Sequence, residues 1–62
     1  MAGTKIMVAR KSDGDSFMEY GTVEETDLDR LHEIAGKISH ALKEENRFRL
    51  IQNGKCVDDF WK

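Results

Sequence analysis

The 62-residue sequence predicts an α+β fold of the order ββαββ, in which two β-hairpins form a four-stranded antiparallel sheet and one α-helix packs on one face. Two observations predict the hairpins, because Asp13-Gly14 and Asn53-Gly54 each separate two segments of strand composition. A third observation predicts the helix, because the stretch between the hairpins has apolar residues at steps of three and four. The length predicts a single domain over residues 1–62.

The helix is predicted over residues 26–45. At about 100° per residue its apolar positions make one stripe, formed by Leu28, Leu31, Ile34, Ala35, Ile38, Ala41 and Leu42. Thr26, with Asp29 three places later, predicts the start of the helix. A Ser/Thr-x-x-acid pair of this kind satisfies free amides of the first helical turn.

The first hairpin is predicted from residues 5–11 and 17–23. With Asp13-Gly14 as a two-residue loop, the expected pairs are Arg10 with Phe17, Val8 with Glu19 and Ile6 with Gly21. A three-residue loop with a bulge would instead shift this register by one and swap the faces of one strand.

The second hairpin, residues 47–52 and 55–61, carries the stronger turn signal. Asn-Gly favours a type I′ turn because both central residues need a positive φ. The expected pairs are Ile51 with Cys56, Leu50 with Val57, Arg49 with Asp58 and Phe48 with Asp59.

Alternation along the strands divides their side chains between two faces. The face predicted to meet the helix carries Ile6, Val8, Phe17, Val23, Phe48, Leu50, Val57 and Trp61. The second face is also rich in apolar residues, with Met7, Ala9, Met18, Tyr20, Ile51, Cys56 and Phe60. In an antiparallel sheet with one solvent-exposed face, the side chains on that face are normally polar. One helix covers only one face of the sheet.

Two interpretations of the second face compete. In the first, its apolar residues are isolated among polar neighbours, as scattered surface residues often are. In the second, which we adopt, they form a contiguous patch that a second copy or another protein covers. Methionine and tyrosine are favoured at interfaces. The predicted interface residues are Met7, Met18, Tyr20, Ile51, Cys56 and Phe60.

Composition narrows the possible partners and compartment. Ten basic and twelve acidic residues give a net charge of −2, which argues against a general binder of nucleic acid or anionic membranes. Cys56 is the sole cysteine, so no intrachain disulfide forms, and a single thiol predicts a reducing cytoplasm. A chain this short has a marginal core, which favours self-association or a partner subunit.

The sequence contains no recognisable catalytic or metal-binding pattern. His32 and His40 lie eight residues apart, lack the i, i+4 spacing of a helical metal pair, and are expected to be solvated. Cys56 is expected to be structural, because no histidine is placed to activate it. We therefore predict no catalytic, cofactor-binding or metal-binding residue.

The sequence thus predicts a small non-catalytic protein-binding or accessory protein of the cytoplasm, a homodimer or docked on a larger partner. Compact proteins without a catalytic set are common among bacterial and phage accessory genes, which we take as the expected class. The alternative is a small nucleic-acid-binding module that uses Arg10, Arg47 and Arg49. A third hypothesis is an enzyme active only as an oligomer, with His32 or Cys56 in a shared site.

Overall fold

The predicted ββαββ order is confirmed by the computed structural model, which describes residues 3–62. Met1 and Ala2, part of the predicted domain, lie outside the described residues. The elements are β1 (Thr4–Arg10), a short 3₁₀ turn (Lys11–Asp13), β2 (Met18–Val23), α1 (Leu28–Leu42), β3 (Asn46–Gln52) and β4 (Lys55–Trp61). They form one antiparallel sheet in the order β2-β1-β3-β4. The hairpins therefore join through β1 and β3, an order the sequence leaves open.

The core lies between α1 and the two inner strands. Leu31, Ala35 and Ile38 of the helix are buried with Ile6, Phe48 and Leu50 of the sheet. Four partly buried residues pack around this cluster, namely Val8, Val23, Ile34 and Phe60. Five of the eight predicted sheet residues are thus correctly placed in or against the core, and Phe17, Val57 and Trp61 are not among its members.

The helix begins and ends inside its predicted bounds. Asp27, not Thr26, is the N-cap, and its Oδ1 accepts a hydrogen bond from the Asp29 N–H at 2.9 Å. At the other end the Lys43 N–H donates to the His40 carbonyl and the Glu44 N–H to the Ser39 carbonyl, which stops the helix at Leu42.

Lys43 holds a left-handed backbone conformation at φ 59°, a position that glycine fills best. Lys43→Gly is therefore expected to raise the free energy of unfolding by about 1 kcal/mol. Lys37→Gly in the helix interior is the control and should lower it by about the same amount. Urea denaturation followed by circular dichroism measures both changes, and a loss of stability in Lys43→Gly would contradict the assignment of this cap.

Each edge strand contains a β-bulge. In β4 the pairs are Ile51 with Cys56, as predicted, and then Leu50 with Asp58, which leaves Val57 without a partner. The predicted pairs of Leu50 with Val57, Arg49 with Asp58 and Phe48 with Asp59 are therefore wrong. Their register would have put a carboxylate opposite buried Phe48. The bulge puts Phe60 there instead, because burying a phenyl ring gains roughly 2 kcal/mol or more and burying a carboxylate costs free energy.

The bulge in β2 shifts the pairs of the first hairpin that lie nearer its turn. Ile6 pairs with Gly21 as predicted, but Val8 pairs with Met18 and Met7 with Glu19, so Tyr20 has no partner. The predicted pairs of Val8 with Glu19 and Arg10 with Phe17 are wrong. The longer connection is the physical reason, because the 3₁₀ turn follows β1 directly and β2 begins only at Met18.

Deleting Val57 is expected to leave the fold intact, because it converts the bulged strand into a regular one with the same later pairs. The expected loss of stability is about 1 kcal/mol or less, since Val57 is largely exposed. Deleting Arg49 from β3 is the control, because this inner strand pairs on both sides and should unfold when its register slips. Equal loss of the circular dichroism signal in both variants would contradict the bulge.

Candidate functional site

The six predicted interface residues occupy three different places. Met7, Ile51 and Cys56 lie on the open face, by which we mean the sheet face turned away from α1. Met18 pairs with Val8, and directly paired residues share a face, so Met18 lies on the helix side of the sheet. Tyr20 is the unpaired bulge residue of β2, and Phe60 packs against the core. The predicted side of Met18 and of Phe60 is therefore wrong.

The open face also carries a polar and aromatic cluster. The Phe17 ring lies under two guanidinium groups, 4.3 Å from Arg49 and 5.3 Å from Arg47. The Asp59 carboxylate accepts two hydrogen bonds from Arg47, both at 2.9 Å, and two from Arg49, at 3.1 and 3.3 Å. Phe17 thus covers the open face and not the core, which corrects its predicted position.

This cluster bears on the nucleic-acid alternative. Arg47 and Arg49 both form ion pairs with Asp59, and the Arg10 guanidinium lies 3.7 Å from a Glu44 carboxylate oxygen. A phosphate would have to compete with these carboxylates for each arginine named in that hypothesis. No specific observation favours nucleic acid as the ligand.

Hydrogen bonding to Arg47 and Arg49 lowers the pKa of the Asp59 carboxyl, and the same contact raises the pKa of Arg47. A depressed native pKa contributes stability above the unfolded-state value of about 4, and this contribution is lost as the pH falls through the native pKa. Asp59→Asn should therefore reduce stability at neutral pH and narrow its gap to the wild type in acid. Urea denaturation across this range measures the gap, with exposed Asp13→Asn as control. A gap that does not depend on pH would contradict the prediction.

A histidine–carboxylate contact connects α1 to β4. His32 Nε2 lies 2.6 Å from Asp58 Oδ2, and its ring stacks on Phe60 with centroids 3.8 Å apart. The prediction of a solvated side chain is thus wrong for His32, while His40 is exposed as expected. The bulge at Val57 is the reason, because it turns both Asp58 and Phe60 toward the helix. Only the register could have revealed this contact.

Cys56 lies on the other side of the sheet from this pair. Its thiol donates to the Asp58 carbonyl at 3.3 Å, and the side chain is exposed. Within residues 3–62 no group of three or more His, Cys, Asp or Glu side chains is arranged to hold a metal ion. Neither His32 nor Cys56 lines the groove described next.

The largest exposed apolar side chains of the first hairpin surround a groove of about 330 Å³, between that hairpin and the C-terminal end of α1. We call it the hairpin groove. Its apolar wall is formed by Val8, Met18, Tyr20 and Leu42. The exposed fractions are 74% for Met18, 61% for Tyr20 and 45% for Leu42. The charged residues of its rim are Arg10, Asp13 and Glu19.

The groove exists because one helix does not cover the full width of the sheet. The core cluster takes Ile6, Phe48 and Leu50 from the inner strands, whereas β2 contributes only Val23, at its far end. Met18 and Tyr20 are not among the residues that pack against the core cluster. Sequence analysis identified these two as binding residues but missed Leu42, which it assigned to the buried stripe. No sequence signal marked it, because the predicted helix continued to residue 45 and Leu42 lay on its apolar stripe, whereas α1 ends at Leu42.

The described part of the chain has no helix with both the length and the apolar character needed to cross a bilayer. Compared with protein-family models, curated proteins and solved structures, the chain matches none of them.

Proposed function

We propose that this chain is a small protein-binding module, and that its hairpin groove receives apolar side chains of another polypeptide chain. The single observation that carries the proposal is the exposure of Met18 and Tyr20 beside an apolar groove. The proposal keeps these two predicted residues and joins them to Val8 and Leu42. It no longer uses Met7, Ile51, Cys56 or Phe60.

Burial of these side chains supplies the driving force. Removing apolar surface from water gains about 25 cal/mol per Å², so a methionine and a tyrosine contribute roughly 2 kcal/mol each when they are covered. Methionine adapts to irregular contacts, and tyrosine combines a large apolar ring with a polar tip. Both are enriched in the buried centres of protein interfaces.

The proposal includes a non-catalytic role and a cytoplasmic location. The exposed Cys56 thiol supports a reducing compartment, since a free surface thiol is prone to oxidation elsewhere. An accessory role on a larger partner and a homodimer both agree with the hairpin groove as the binding surface.

Photo-crosslinking in the cells that naturally make this protein tests the proposal. Tyr20 is replaced by benzoylphenylalanine, and the matched control carries the same group at Val57, an exposed bulge residue on the opposite edge of the sheet. We expect irradiated cells to contain a covalent protein adduct from position 20 that is absent from position 57. Equal labelling from both positions, or no adduct from position 20, would overturn the proposal.

A further inference from the structure

We infer that the occupant of the hairpin groove is a second copy of this chain, related by a two-fold axis, with Tyr20 of each copy entering the groove of the other. This inference rests on the proposed function and names its partner. It follows from three properties of the groove: its shape, its charge and its area.

An exposed side chain and the groove lie on one surface patch. Tyr20 projects from the β2 bulge with 61% of its surface exposed, and it borders the apolar groove of about 330 Å³. A two-fold contact requires the projecting group and its receptor on one surface patch, because residue i then contacts j while j contacts i. Tyr20 beside the hairpin groove meets this requirement, and Met18 and Leu42 supply the surrounding apolar contacts.

The charges on the rim agree with a second copy. The Arg10 side chain is 75% exposed beside its contact with Glu44, and Asp13 and Glu19 lie on the same rim. Because the rim carries both signs of charge, a two-fold arrangement can place Arg10 of one copy against Asp13 or Glu19 of the other. A partner of strong net charge would instead meet like charge on part of this rim.

The area indicates a reversible dimer. Met18, Tyr20 and Leu42 together expose on the order of 400 Å² on each copy, against about 800 Å² per partner in a standard stable interface. A 62-residue chain with one cysteine cannot close an intrachain disulfide, and a subunit contact is one of the supplements that small domains use. We expect association in the micromolar range or weaker.

Sedimentation equilibrium of the purified full chain tests this inference from about 10 µM to about 1 mM. The apparent mass of the wild type should rise from 7.1 kDa toward twice that value. Met18→Lys and Tyr20→Lys should weaken dimerisation at least about tenfold, which is about 1.4 kcal/mol. Val57→Lys is the control and should leave it unchanged. Circular dichroism verifies that each variant keeps its helix.

A measurement without substitutions accompanies these variants. On dilution of the wild type, amide NMR signals of residues 18–20 and 42 should shift, while those of residues 55–57 should not. A wild type that stays at 7.1 kDa throughout overturns the second copy. If position 20 still crosslinks to a different protein, the proposed function stands without it. An equal effect of Val57→Lys, or dilution shifts confined to β4, also overturns the inference.

Discussion

Phe60→Asp is expected to unfold the protein, whereas Trp61→Asp, one residue further along β4, should leave it folded. Phe60 stacks on His32 at 3.8 Å and on Phe48 at 5.6 Å between ring centroids, on the helix side of the sheet. A carboxylate there would lose the ring contacts and lie close to Asp58. The expected cost is roughly 3 kcal/mol or more, most of the stability of a domain this small.

Trp61 is 47% exposed and lies on the open face near Gly14, so its replacement removes less buried surface. The measurement is the helical circular dichroism signal and its urea midpoint for both variants. The register predicted from sequence alone gives the opposite result, with Trp61 in the core and Phe60 on a surface. A folded Phe60→Asp variant together with an unfolded Trp61→Asp variant would show that β4 is not bulged at Val57.

Phe48→Ala is expected to lower the free energy of unfolding by about 3–5 kcal/mol. Phe48 is completely buried in β3, and its cross-strand partners Val8 and Phe60 pack against the same cluster. Truncating the ring leaves a cavity, because the surrounding strands and helix relax only partly into the space. A chain of 62 residues has a total stability of roughly 3–9 kcal/mol, so much of the variant should be unfolded at room temperature.

Urea denaturation of Phe48→Ala measures this loss, and Val57→Ala is the control. Val57 is 42% exposed and unpaired, and its truncation should cost about 1 kcal/mol or less. If the two truncations cost the same, the centre of the core does not lie at Phe48.

The order of elements was predictable because its signals are local. Asn53-Gly54 adopts positive φ at both residues, as its turn requires, and β4 spans residues 55–61 as predicted. A bulge has no comparable signal, because one extra residue changes neither composition nor turn chemistry. One mismatch did mark it, since the predicted register paired Asp59 with Phe48 on the core face while Phe60 faced outward. The strand order was unpredictable for another reason, because it depends on contacts between distant segments.

The candidate site was predicted in part. Met18 and Tyr20 are as exposed as their proposed role requires, but the side of Met18 depends on the β2 bulge. The His32–Asp58 contact and the Phe17–Arg49 stack depend likewise on registers that the turn residues do not determine. Sequence periodicity therefore predicted the approximate positions of the apolar residues in the fold. The bulges determine which neighbours these residues contact.

The unpaired residues Tyr20 and Val57 interrupt both outer borders of the sheet. A strand of a foreign or misfolded chain that paired with either border would lose its hydrogen-bond register after two to four residues. Growth of a cross-β fibre requires continuous backbone pairing along such a border. A concentrated solution of this protein is therefore expected to remain clear and free of thioflavin-positive aggregates on prolonged storage.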